Sequence, residues 1–103
     1  MDNEPKKNEL MRRFELHIEG KTAVLDYTEQ GDSVLVCTHT FVPAELRGRN
    51  IAAILTRYAL EDARRQGKKV APQCSYVAVF MERNREYADL RAAQHDLLLE
   101  NPA

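Results

Sequence analysis

The hydrophobic pattern changes its period once, between Pro43 and Ile51, and that change constrains the fold most. Before it, the chain alternates. Phe14, Leu16 and Ile18 fall on one side of Arg13 to Ile18, as in a half-buried strand. Thr22 to Thr28 resumes the alternation with Ala23, Leu25 and Tyr27, after a tight turn at Glu19-Gly20-Lys21. A second turn at Gln30-Gly31-Asp32 leads into Ser33 to Val42, which is rich in β-branched residues. Three strands joined by short glycine turns predict an antiparallel meander. Pro43 ends the third strand because it has no N–H to give a ladder.

After the change, Ile51, Leu55, Tyr58, Ala59 and Ala63 repeat at helical spacing, which predicts a helix over Asn50 to Gln66. Gly67 marks its C-terminus, with Arg64 and Arg65 suited to the last turn. Lys69 to Ala71 reads as a short strand stopped at Pro72. The crossover helix should make it a parallel neighbour of the third strand. Cys74 to Met81 suits a strand by its β-branched content, but Ser75 and the following Glu82-Arg83 favour a helix. Glu86 to Leu99 is helix-compatible. The predicted class is α/β (α+β), with three antiparallel strands plus a parallel strand after a crossover helix.

A length of 103 residues fits one domain, and 44% hydrophobic with 30% charged residues is a globular balance. Residues 1–10 are polar and carry Pro5, and read as a frayed lead-in to a domain over 11–103. The formal charge of −1 argues against a general nucleic-acid binder. No apolar run reaches the roughly 20 residues of a membrane span. Cys37 and Cys74 form no disulfide framework, and no Cys/His spacing suits a metal. The expectation is a soluble cytoplasmic domain.

Two segments could carry chemistry. The first runs from Val42 to Ala52, between a strand and a helix. A helix N-terminus offers unpaired N–H groups and a positive dipole, a good place for phosphate. Gly48 permits positive φ, Asn50 is the next best residue for that conformation, and Ala52 is small. Arg47 and Arg49 add charge. Composition alone equally allows a basic surface turn. The second is Cys74, at the start of the later helix, where a thiol becomes a better nucleophile; the competing reading is an inert packing cysteine. His39, late in the third strand, could act as a base. His17 and His95 read as surface residues.

Three segments together resemble the GNAT N-acetyltransferase superfamily, in particular its very short single-domain members. They are His39-Thr40-Phe41-Val42-Pro43, Arg47-Gly48-Arg49-Asn50-Ile51-Ala52 and Val70-Ala71-Pro72-Gln73-Cys74-Ser75-Tyr76-Val77. The second matches the superfamily's acetyl-CoA signature, with Asn50 standing where that signature has its first glycine. The resemblance implies a sheet splayed between the third and fourth strands. Pantetheine would lie there, bonded to backbone near Phe41 and Val42. The diphosphate of acetyl-CoA would meet Arg47, Gly48 and the N–H groups of Arg49, Asn50, Ile51 and Ala52. It also places Cys74 and His39 near the acyl end, with an amine as acceptor. The alternatives are a non-enzymatic acyl-CoA-binding module and an interaction domain.

Overall fold

The alternating half of the chain becomes a sheet and the helical half covers one of its faces, in a computed structural model that describes residues 4–93. The sheet has five strands in the order β1 (Lys6–Asn8), β2 (Arg13–Ile18), β3 (Lys21–Gln30), β4 (Val34–Phe41) and β5 (Lys69–Pro72). The first three pairings are antiparallel and β4 with β5 is parallel. Helix α1 (Ile51–Arg65) makes the crossover, and α2 (Ser75–Arg83) follows β5. Among the described residues no helix is long and apolar enough to cross a membrane.

The alternation read from β2 and β3 is the alternation observed. Phe14, Leu16, Ala23, Leu25 and Tyr27 are all buried on the face that α1 covers. Leu55, Ala59, Leu60 and Ala63 of α1 pack against them. Each fully buried leucine or phenylalanine there contributes on the order of 2 kcal/mol through removal from water. Phe14 sits between two rings, 5.1 Å from Tyr27 and 5.9 Å from Tyr58 between centroids. Val77, Phe80 and Met81 of α2, with Tyr87 and Leu90, close the same core. On the opposite face, among the described residues, Val34, Val36 and Ala71 form a small buried apolar cluster with Ala92 packed against it.

Local signals explain the ends of α1. After Gln66, Gly67 takes φ of +70°. The Lys68 N–H donates to the Ala63 carbonyl at 2.9 Å, and the Gly67 N–H to the Arg64 carbonyl at 3.2 Å. That is the Schellman arrangement, which satisfies carbonyls the helix leaves unpaired.

Two expectations are corrected. Lys6–Asn8 lies in the stretch read as frayed, yet it is a strand, in register with Arg13 to Glu15. Its side chains are polar, so no hydrophobic alternation marked it. The Lys7 ammonium holds it down, 2.9 Å from the Asp62 carboxylate of α1 and above the Phe14 and Tyr27 rings. The helical tail is also different: Arg85–Leu90 is 3-10, and Arg91 then bridges Val70 in parallel. The Ala92 N–H donates to the Val70 carbonyl at 2.8 Å, so the sheet captures the chain before a longer helix can form. Residues 94–103 of the expected tail, His95 included, lie outside the described residues.

Candidate functional site

The chain leaves β4 at Pro43, turns once as 3-10 helix over Ala44–Leu46, and enters α1 at Ile51. Leu46 is fully buried and anchors this connection, leaving Arg47 to Asn50 exposed. Gly48 has φ of +85° and Asn50 has φ of +64°. The second of these is the left-handed conformation expected of asparagine at that position. Asn50 is the N-cap of α1, but its side chain makes no cap hydrogen bond. Its carbonyl accepts the Ile54 N–H at 3.1 Å, the first bond of the helix. The N–H groups of the preceding turn have no partner inside the helix. No acidic residue lies in that first turn to compete for them.

These groups border an open cleft of about 230 Å³ lined by Val42, Arg47, Gly48, Asn50, Ile51 and Ala52, together with Leu46, Ala53 and Tyr76. Six of the eight residues proposed from sequence to hold a coenzyme therefore share one concavity. A Cβ built on Gly48 would meet nothing within 4 Å, so its need for glycine lies in φ rather than in space. Tyr76 brings the first turn of α2 to the same cleft. Its ring stacks on Phe80 at 6.3 Å and remains 40% exposed. Tyr76 stands in the sequence only as part of the Val70 to Val77 segment; its place in the first turn of a helix that begins at the sheet's edge was the available signal.

The other two residues of the eight lie differently. The Arg49 guanidinium is 2.9 Å from the Glu19 carboxylate, whose proton affinity this hydrogen bond lowers. Both are exposed, and such a pair is readily exchanged for another anion. Phe41 sends its ring out of the cleft, 48% exposed. Its part in the expectation was backbone only, and the backbone there is available. The ladder between β4 and β5 stops at Cys37 and Pro72, while β4 runs on through Phe41. The edge of Thr38 to Phe41 that faces away from β3 has no strand partner among the described residues. The Val42 carbonyl is already used, accepting from Arg47 Nε at 3.2 Å.

A bulge decides which side chains of β4 look toward this opening. In register with β3, Cys37 pairs with Tyr27 but His39 pairs with Asp26, so Thr38 is the extra residue. The Thr38 hydroxyl donates to the Asp26 carbonyl at 3.3 Å. One added residue exchanges the faces of everything after it. Thr40, in register with buried Leu25, therefore joins the core face, and exposed His39 looks out of the opposite one. The structure brings Thr40 rather than His39 to Cys74: Thr40 Oγ1 lies 3.3 Å from Cys74 Sγ, while His39 is on the other face of the sheet.

Cys74 is the N-cap of α2, half-buried, with its N–H donating to the Cys37 carbonyl at 2.9 Å. The Gln73 N–H donates to the same carbonyl at 3.0 Å, which turns the chain off the sheet at this point. Cys37 is the contrasting thiol. Burial, helped by the neighbouring Cys74, pushes it up to about 12. The phenol of Tyr76 is likewise raised by burial.

Residues 13–90 match the model of a family described as GCN5-related N-acetyl-transferase. The fold is similar to the NMR solution structure of a GCN5-like protein from Staphylococcus aureus. The TM-score is 0.69 at 24% sequence identity, over 91% of this chain and 94% of that one.

Proposed function

The chain belongs to the GCN5-related N-acetyltransferase family, and on that premise we propose that it moves an acetyl group from acetyl-CoA to an amine. The observation that carries this reading is the cleft at the start of α1. There, Gly48 and Asn50 take positive φ, and the first turn of α1, which holds no carboxylate, lines the opening. The N–H donors of that turn and the helix dipole suit a diphosphate. Arg47 and Arg49 supply charge beside it. The unpaired edge of β4 offers backbone donors and acceptors to an amide-containing arm, and leads toward Cys74 and Tyr76.

In this reading the amine nitrogen attacks the thioester carbonyl. A C–N bond forms, the C–S bond breaks, and the amine's proton is passed on so that coenzyme A leaves as a thiol. Backbone N–H groups stabilise the developing oxyanion, and holding both reactants in one cleft supplies much of the acceleration. A variant route uses Cys74 first. Its sulfur attacks the carbonyl, coenzyme A leaves with the thiol proton, and the amine then takes the acetyl group from the cysteine. His39, on the outer face, has no part in either route.

The test incubates the protein with acetyl-CoA and follows binding, thiol release and the mass of the Cys74 peptide. Thiol release that depends on an added amine supports transfer. Binding with neither thiol release nor acetylation would leave an acyl-CoA-binding module instead. No binding at millimolar ligand would contradict the reading.

A further inference from the structure

We propose that Thr40 is the positioning residue of the Cys74 thiol. This rests on reading Cys74 as the thiol at the acyl end of the cleft. Three observations carry it. The Thr38 bulge brings Thr40 to the face where Cys74 lies, although the period-two pattern of β4 would have turned it away. Thr40 Oγ1 and Cys74 Sγ are 3.3 Å apart, within hydrogen-bonding distance when sulfur is one partner. Beyond Cys37, among the described residues, no strand separates β4 from the start of α2, so the contact spans the mouth of the splay between two elements.

The contact works with either protonation state of the sulfur. A thiol donates its S–H to the Thr40 oxygen, and a thiolate accepts the Thr40 O–H. In both cases threonine restricts the rotation of the Cys74 side chain. Threonine suits this task because β-branching fixes its own χ1. The Cys74 backbone is fixed as well, through its N–H to the Cys37 carbonyl. The sulfur is thereby held at one end by the main chain and at the other by a hydroxyl.

The test measures second-order alkylation of Cys74 by iodoacetamide at pH 7.5, by mass mapping, in four full-length proteins: wild type, Thr40→Val, Thr40→Ser and His39→Ala. This arm needs no acetyl-CoA, so it is independent of acetyl transfer. Thr40→Val is expected to slow Cys74 alkylation about fivefold, because the thiolate, the reacting form, loses the charge-assisted hydrogen bond from the Thr40 O–H. Thr40→Ser should stay within about twofold of wild type, and His39→Ala should match it. Thermal unfolding of each protein accompanies the rates, because loss of packing would slow the serine and valine variants alike. Wild-type rates in Thr40→Val, or equal loss in Thr40→Ser, would overturn the assignment. A larger loss in His39→Ala than in Thr40→Val would overturn it too. Where alkylation follows this pattern but acetyl-CoA leaves Cys74 unmodified and releases no thiol, the positioning role stands and the transfer reading fails.

Discussion

Lys7 Nζ of β1 lies 2.9 Å from Asp62 Oδ2 near the end of α1, with both side chains only 12% exposed. The contact joins the first strand of the sheet to the helix that covers it, across 55 positions of sequence. Asp62 also accepts from Arg65 at 3.1 Å and from Gln66 at 3.1 Å. Removing the carboxylate leaves the half-buried ammonium, among the described residues, only the more distant, exposed Glu9 carboxylate at 3.9 Å. Asp62→Ala should therefore destabilise the fold by on the order of 3 kcal/mol in denaturant melts. Lys7→Met should cost less, because the aliphatic stem still covers the Phe14 and Tyr27 rings. Equal losses in the two variants would show that the Lys7 charge itself, rather than its stem or the carboxylate's partners on α1, carries the effect.

Glu15 predicts how stability responds to acid. Its carboxylate is nearly buried and accepts hydrogen bonds from Arg13, from Asn8 at 3.0 Å and, at 3.0 Å, from a ring nitrogen of His17. Foremost the Arg13 bond, opposed by burial and aided by Asn8 and His17, holds its pKa below the ordinary 4.5. A carboxyl lowered by folding adds stability above its unfolded value, and that stability is lost as pH falls through the folded one. Glu15→Gln should therefore lower stability at pH 7 by about 1–2 kcal/mol. The gap to wild type should narrow below pH 4.5. Urea melts at several pH values read this directly; a gap that stays constant into acid would contradict it.

Thr56 is fully buried in α1, and its hydroxyl has no hydrogen-bond partner among the described residues. A desolvated hydroxyl left unpaired costs about 1–3 kcal/mol. Thr56→Val keeps the branched shape and removes the oxygen. It should raise stability by about 1 kcal/mol, seen as a higher denaturation midpoint at unchanged slope. A fall in the midpoint would mean that the hydroxyl is satisfied in solution.

Strands β2 and β3 and the crossover helix α1 were legible because their residues obey one period each, whereas α2 was favoured over a strand by its flanking Ser75 and Glu82-Arg83. Phe14 to Ile18 alternates, Ile51 to Ala63 repeats at helical spacing, and Gly67 stops α1 where its φ requires glycine. The conformation of the loop before α1 was legible for a similar reason: Gly48 and Asn50 are residues that accept positive φ, and both adopt it. The Thr38 bulge was not legible. Val34 to Phe41 is uniformly strand-forming, and the extra residue is set by pairing with Asp26 across the ladder, which no local pattern encodes. That single residue moved the thiol's neighbour from His39 to Thr40. β1 was hidden for another reason, since its stability comes from register with β2 and from Lys7 rather than from apolar side chains. The 3-10 segment after Asn84 escaped because helical spacing over a few residues does not separate it from the start of an α-helix.

The coenzyme site stands or falls with the loop before α1. The decisive measurement is titration calorimetry of acetyl-CoA into wild type, Gly48→Val and Asn50→Gly. Valine at φ of +85° is strained whatever the surrounding space, so the loop must abandon the conformation that presents its N–H groups. Gly48→Val should weaken binding at least about tenfold while thermal unfolding shows the fold retained. Asn50 makes no capping bond with its side chain and already sits at positive φ, so Asn50→Gly should bind as tightly as wild type or more tightly. Equal affinity in wild type and Gly48→Val would place the diphosphate elsewhere and contradict the site.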